Sequence, residues 1–163
     1  GEINTGRYQA LKIKESEKNW LTDHQKKIEA ANSLEDLNSA SAEFENRYPQ
    51  MDTETKQAVG EILLAKENNL GGQVDQFINN LNTKLTEIRQ AGEATTFADR
   101  GIINTKNKLE LFRTKLTQSR EVFYSKNSGK IELFTGQQKL LEANQYLREA
   151  VNFLSELIKS YTG

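Results

Sequence analysis

The sequence predicts an all-α protein, an elongated antiparallel up-down-up-down bundle of four helices. Three observations predict this fold class. Apolar residues recur at steps of three and four along nearly the whole chain, which is the spacing of one helix face. The 163 residues include one proline and ten glycines, too few turn-forming residues for a β-rich fold of this size. The mean hydropathy of -0.74 suits long, thin helices that expose much surface. The whole chain, residues 1–163, fits a single domain.

The first helix is predicted from about Ile3 to Ala31. Ser33 then precedes Asp36 by three residues, a variant of the capping box that begins a new helix. The apolar residues from about 34–48 again follow helical spacing, so this stretch forms either an extra short helix or a continuation of the first one. The inward face of the first helix is predicted to consist of Leu11, Trp20, Leu21 and Ile28.

Pro49 marks the clearest predicted break, because the residue before a proline is pushed away from α-helical geometry. Asp52 follows as a candidate N-cap of the next helix. Gly71 and Gly72 lie inside that helix, and two interior glycines cost about 2 kcal/mol relative to alanine. The apolar stripe keeps its phase across them, which favours one long helix with a bend or a close helix contact there; a full break at Gly71 is the alternative. The stripe consists of Val59, Leu63, Leu70, Val74, Phe77, Leu81, Leu85 and Ile88.

Residues 91–100 are predicted to connect to a third helix, which has the most regular pattern in the chain. Gly129 is predicted to end this region in a left-handed conformation. The last helix, from about Ile131 to Tyr161, has the widest apolar face, including Leu141, Val151 and Ile158, and is predicted to be the most buried. The heptad a and d positions of the third helix are Ile102, Thr105, Leu109, Phe112, Leu116, Ser119 and Phe123.

Composition argues against catalysis and against nucleic-acid binding. The net charge is -1, so no global field attracts nucleic acid. The chain has no cysteine and a single histidine, His24, which leaves no thiol nucleophile and no two-histidine metal site. No apolar stretch is long enough to insert into a membrane within this segment. We therefore predict a non-catalytic binding module without cofactor, metal or catalytic residues.

Two rows of charged residues have a spacing of seven. Lys106, Arg113 and Arg120 fall at heptad position e of the third helix, beside its core seam. One interpretation is that this row meets acidic residues of a neighbouring helix and sets the register. The other is that Arg113 and Arg120 turn toward a cleft and bind an anionic ligand, because a guanidinium can bind a carboxylate through two hydrogen bonds. The acidic row, predicted on the outer side of the last helix, is Glu142, Glu149 and Glu156.

The stretch from Leu11 to Leu21 resembles bacterial chemoreceptor sensing domains of the helical bimodular and four-helix-bundle kinds. In that family a Glu-Lys pair precedes an aromatic residue and a leucine on a long helix, as Glu17-Lys18 and Trp20-Leu21 do here. The family's upstream arginines are replaced by Lys12 and Lys14. The resemblance covers only about a dozen residues.

The resemblance implies an extracytoplasmic bundle, periplasmic or on the cell surface, that is dimeric beside the membrane. Such a bundle binds a small molecule between its helices and signals by shifting one of them. Lys14 and Trp20 then join Arg113 and Arg120 as candidate ligand-binding residues, and the ligand is expected to be a small anionic or amino-acid-like molecule. This function predicts a polar cleft inside the bundle.

The alternative is a protein-protein interaction bundle, either a surface factor that binds a host or a scaffold subunit. It predicts a dry core and an outer face that binds a protein partner. The exposed anchors on that face are predicted to be Tyr8, Leu111 or Tyr124.

Overall fold

The computed structural model describes the backbone of residues 2–125 and 129–162, and the side chains of residues 11–125, 129 and 131–160. Within these ranges the chain forms four helices and no strand: α1 (Glu2–Glu29), α2 (Leu34–Gln90), α3 (Thr96–Phe123) and α4 (Lys130–Thr162). The predicted all-α class with four main helices is confirmed.

Each helix runs antiparallel to the one before it, in the predicted up-down-up-down order. Residue numbers fall on one helix as they rise on its neighbour, as six ion pairs show: Glu17–Arg47 and Lys27–Glu43 between α1 and α2, Asp75–Arg113 and Arg89–Asp99 between α2 and α3, and Lys108–Glu149 and Lys115–Glu142 between α3 and α4.

Helix α2 is the element that the other three helices share. Its 57 residues make it much longer than its neighbours, about 85 Å at a rise of roughly 1.5 Å per residue. Within the described residues, α1 contacts α2 and no other helix. Helices α3 and α4 form the most extensive helix interface and also pack against the second half of α2. At one end of α2, two helices (α1 and α2) therefore lie side by side. At the other end, three helices (α2, α3 and α4) pack together.

The hydrophobic core lies at the three-helix end. All of its buried residues come from α2, α3 and α4, and the first of them along the chain is Leu64. The seven predicted heptad positions of α3 are all buried. Two of these, Thr105 and Ser119, are polar, and their hydroxyls donate hydrogen bonds of 2.8 Å to the carbonyls of Gly101 and Gly136. The polar groups on the core face of α3 are thus satisfied, which removes most of the penalty for burying them.

Glycines allow α2 to approach α3 closely. A Cβ atom at Gly60 would lie 2.1 Å from the ring of Phe123, and one at Gly71 would lie 2.5 Å from the ring of Phe112. A Cβ atom at Gly72 would have no heavy atom within 4 Å. Helix α2 therefore continues without a break through both glycines. Gly71 makes the close contact with α3, and Gly72 does not.

Both described connections at the ends of α2 have recognisable caps. Ser33 and Asp36 form the predicted capping box, in which each side chain accepts a hydrogen bond from the other's backbone. At the other end, Gly92 has a φ of 84°, and the backbone N–H of Glu93 donates to the carbonyl of Ile88, as in a Schellman motif. The predicted connection over 91–100 is shorter than expected, because α3 begins at Thr96.

The break predicted at Pro49 does not occur. Helix α2 continues through Pro49, so the stretch 34–48 is its first part and is neither a short extra helix nor a continuation of α1. Asp52 is an interior residue paired with Lys56 rather than an N-cap. An interior proline costs about 3 kcal/mol. Helix α1 packs against α2 on both sides of Pro49, at Phe44 and at Ala58, and this packing holds the backbone helical across it.

The predicted left-handed stop at Gly129 is also wrong. Helix α3 already ends at Phe123, and Gly129 does not have a positive φ. The carbonyl of Gly129 instead accepts a hydrogen bond from the backbone N–H of Leu133. Gly129 therefore precedes the first turn of α4 and has no role in ending α3.

Several residues predicted to face inward are exposed, and on α1 the reason is that this helix has only one neighbouring helix. On α2 the predicted stripe is partly confirmed, because Leu85 is buried in the core and Leu64, Gly71 and Ile78 are buried beside it. Four further members of the predicted stripe are partly buried against the core: Leu70, Val74, Leu81 and Ile88. The exposed apolar residues that were expected inside are Leu11, Leu21, Ile28, Val59, Leu63, Phe77, Leu141, Val151 and Ile158.

The two neighbouring glycines of α2 provide a matched test of the α2–α3 contact. We expect Gly71→Ala to lower the free energy of unfolding by about 1–3 kcal/mol, because the new methyl group overlaps the Phe112 ring. Gly72→Ala should raise it by about 0.5–1 kcal/mol through helix propensity alone. Urea denaturation followed by circular dichroism measures both, and equal stabilisation by the two substitutions would contradict the assigned contact.

Candidate functional site

Charged groups occupy the interface between α1 and the first half of α2, a unit we call the α1/α2 hairpin. Glu17 is buried there, and its Oε1 accepts a 2.9 Å hydrogen bond from Nη2 of Arg47. Burial raises the pKa of Glu17, the neighbouring Glu54 carboxyl raises it further, and the Arg47 guanidinium opposes both effects. Oε2 of Glu17 and Nε of Arg47 are buried without a hydrogen-bond partner. Some of the buried polar atoms in the hairpin interior therefore lack hydrogen-bond partners.

Aromatic rings surround the single histidine at the loop end of the hairpin. His24 is buried and stacks on Trp20, with ring centroids 4.7 Å apart and an interplanar angle of 10°. Phe44 lies 5.9 Å from His24 and 5.7 Å from Tyr48, measured between centroids. Nδ1 of His24 makes no hydrogen bond. The histidine and the tryptophan thus pack the two helices together.

A continuous groove runs along one side of the α1/α2 hairpin. It consists of two cavities of about 500 and 660 Å³ that share Leu21 and Gln25. The charged residues Lys14, Glu17 and Lys18 line the first cavity. We call this surface the hairpin groove. Ile13 lines the groove and is partly buried. Six other large apolar lining residues remain at least 37% exposed: Leu21, Ile28, Leu37, Phe44, Val59 and Ile62.

A second groove, of about 670 Å³, lies between α2 and α4 at the three-helix end. Its lining is mostly apolar, and Arg148 is its one charged residue. We call it the α2–α4 groove. Its apolar lining residues are Leu70, Val74, Phe77, Leu147, Val151, Leu154 and Ile158, and its uncharged polar ones are Gln73, Asn144, Asn152 and Ser155.

Two further carboxyl groups are buried on α2, between the two grooves along the helix. Glu61 is 4% exposed, accepts one long hydrogen bond from Gln57, and leaves Oε2 without a partner. Burial raises the pKa of Glu61, and the Gln57 hydrogen bond only partly offsets that effect. Glu67 accepts a 2.7 Å hydrogen bond from Asn144 of α4, and its Oε2 is also unpartnered. Periodicity did not predict these buried acids, because glutamates on amphipathic helices are usually solvated.

The four residues predicted to bind ligand do not share one cavity. Lys14 lines the hairpin groove, whereas Trp20 packs on His24. Arg113 pairs with Asp75 of α2, which fits the interpretation that the basic row sets the register between helices. Arg120 is partly buried on α3 and has interactions within the chain.

The acidic row of α4 is partly engaged with α3. Glu142 pairs with Lys115, and Glu149 with Lys108, at 2.6 Å in each case. These ammonium groups lower the pKa of both carboxyls. The α3–α4 register is therefore held by lysines outside the predicted basic row.

Three residues were predicted to be exposed anchors for a protein partner. Leu111 and Tyr124 are exposed, as predicted, and the side chain of Tyr8 lies outside the described residues. The residue that sequence reasoning missed is Arg148, whose only signal was its place beside the apolar series Leu147, Val151 and Leu154.

Among the described residues, no three His, Asp or Glu side chains come close enough together to hold a metal ion. None of the helices in the described ranges is long and apolar enough to span a bilayer. No family model, curated protein or solved structure matches this chain. The likeness to chemoreceptor sensing domains therefore rests on residues 11–21 alone.

Glu61 should make stability depend on pH. Because its folded-state pKa is raised, its contribution is fully present below the unfolded-state pKa and is lost as the pH rises through the folded-state value. We expect Glu61→Gln to flatten the decline in the free energy of unfolding at pH values above 4.5, the ordinary pKa of glutamate. At pH 7 it should raise the free energy of unfolding by about 1 kcal/mol, since it removes a poorly satisfied charge.

The matched control is Glu142→Gln, which should act in the opposite direction. The pKa of Glu142 is lowered by Lys115 and Lys139, so its contribution is present above the unfolded-state pKa and is lost as the pH falls. Chemical denaturation at a series of pH values separates the two effects. A Glu61→Gln profile parallel to that of the parent chain would contradict the assigned burial.

Proposed function

We propose that this chain is a non-catalytic binding module that assembles with a helical protein partner through the hairpin groove. The observation that supports this function best is that α1 contacts α2 alone within the described residues. Large apolar side chains on both helices are consequently left exposed along one continuous groove. Contiguous apolar patches of this kind are typical of protein interfaces.

Packing physics favours a helix as the occupant. Two antiparallel helices bury only one stripe each, whereas bundles of four helices enclose a core on every side. The groove exposes apolar residues of both helices at helical spacing, such as Leu21 and Ile28 on α1 and Leu37 and Phe44 on α2. A helix lying along this groove removes both rows from water, at roughly 25 cal/mol per Å² of apolar surface.

The polar surroundings of the groove suit a specific complex. Lys14 and Lys18 lie at one end, and Glu29 lies at the other. A protein interface usually combines an apolar centre with such a charged rim, which fixes the orientation of the partner. Leu21, which both cavities share, lies at the centre of the groove and is the expected energetic anchor.

Site-specific photo-crosslinking tests this function. A photoreactive residue at Ile62, in the groove, should crosslink a defined protein in cells of the source organism. The same residue at Ile103, which is even more exposed than Ile62 and lies on α3 outside both grooves, should not. With the purified partner, Leu21→Glu should weaken binding by roughly 30-fold, the loss expected for a central anchor, and Ile103→Glu should leave it unchanged. Equal crosslinking at both positions, or intact binding by Leu21→Glu, would argue against the hairpin groove.

A small-molecule sensor is the second candidate function, and one feature of the hairpin favours it. Lys14 and Lys18 line the same cavity as the buried Glu17, whose Oε2 has no partner. Two ammonium groups beside one carboxylate suit an amino-acid-like or anionic ligand. We propose this role as the alternative, together with the extracytoplasmic location that the resemblance implies.

Thermal unfolding in the presence of amino acids and organic acids separates the two candidates. A sensor should be stabilised by RT ln(1 + [L]/Kd), about 2.7 kcal/mol at a ligand concentration of 100 Kd. Lys14→Gln should abolish that gain, whereas Lys84→Gln, at an exposed ion pair elsewhere on α2, should preserve it. A flat response across the whole series would leave the protein-binding function as the better account.

A further inference from the structure

The two walls of the α2–α4 groove share a seven-residue repeat. On α2 the repeat places Leu70 and Phe77 in the lining, and on α4 it places Val151 and Ile158 there. The two helices run parallel in this region, because each runs antiparallel to α3. Parallel walls with a heptad repeat form the row of holes into which the side chains of another helix pack.

The groove also lies where a four-helix bundle would have its fourth helix. Helix α3 packs on another side of α2, where Phe112 contacts Gly71. Opposite to it, Phe77, Val151 and Ile158 remain at least 40% exposed. The lining of α4 from Asn144 to Ile158 extends over about 21 Å, or four turns of helix.

The charge of the groove indicates what its occupant carries. Arg148 lies on the α4 rim and forms no hydrogen bond or ion pair within the described chain. Lys66, one heptad before the lining residue Gln73, is exposed on α2 but does not itself line the groove. No carboxylate lines the groove. An uncompensated positive rim favours a partner with acidic residues beside its apolar stripe.

We propose that the α2–α4 groove binds an amphipathic helix of another protein, with apolar residues at heptad spacing in the groove and an acidic residue at Arg148. This site shares no lining residue with the hairpin groove, so this proposal can be tested independently of the proposed function. The repeat along both walls favours a helix over a small amphiphile, because a compact ligand requires no periodicity.

A designed peptide can serve as the probe. The peptide has three heptads with leucine at positions a and d, glutamate at e and g, and a fluorescent label. A second peptide has lysine at e and g and is otherwise identical. Fluorescence anisotropy with the full chain should show that the glutamate peptide binds roughly fivefold more tightly than the lysine peptide, as expected for one or two rim ion pairs.

Variants of the chain locate the binding. Arg148→Glu should abolish or invert the fivefold preference for the glutamate peptide. The average affinity for the two peptides should change little. Val151→Glu should weaken both peptides by about tenfold or more, because it places a charge among the apolar contacts. Ile103→Glu on α3, outside both grooves, is the matched control and should leave both affinities unchanged. Far-UV circular dichroism establishes that each variant is folded.

Four results would overturn the proposal. The first is that the glutamate peptide fails to bind at the highest soluble concentration. The second is that its advantage over the lysine peptide survives Arg148→Glu. The third is that dodecanoate binds in an Arg148-dependent manner while neither peptide does, which would make the groove a site for small anionic amphiphiles. Binding that is lost in Leu21→Glu but kept in Val151→Glu would assign the peptide to the hairpin groove and would also exclude the proposal.

Discussion

The packing of two phenylalanine rings onto glycines of α2 determines much of this structure. Phe123 and Phe112 of α3 occupy the space that side chains at Gly60 and Gly71 would fill. These contacts set the rotation of α2, which turns Leu64 and Ile78 inward and leaves Val59, Ile62 and Phe77 exposed. Val59 and Ile62 line the hairpin groove, and Phe77 lines the α2–α4 groove. The close approach of α2 and α3 is therefore the reason that α2 has apolar surface available to other molecules.

The two ends of the molecule differ in how many helices enclose their buried polar groups. At the three-helix end, the buried hydroxyls of Thr105 and Ser119 donate to backbone carbonyls, and Glu67 accepts from Asn144 with its Oε2 unpartnered. In the hairpin, Glu17 and His24 each bury a polar atom without a partner, and within the described residues α1 packs against α2 alone. Such sparsely packed regions open at lower free energy than a well-packed core. The hairpin is thus the end expected to open first.

Local patterns in the sequence predicted much of the fold, because heptads and caps are set by neighbouring residues. The α3 heptad from Ile102 to Phe123 and the Ser33 capping box are both confirmed. Features that depend on distant packing were mispredicted. Pro49 is accommodated because α1 packs on both sides of it, and contacts with α3 bury Gly71 beside the predicted stripe of α2. For the same reason the sequence could not separate Lys14, in a groove, from Arg113, in an ion pair, and indicated Arg148 only by its place beside an apolar series.

The uninterrupted course of α2 gives both grooves a wall on the same helix. Thr55, Val59 and Ile62 line the hairpin groove, and Gln73 and Phe77, further along the same stripe of that helix, line the α2–α4 groove. A rotation of α2 about its axis would displace both sets of side chains in the same rotational sense.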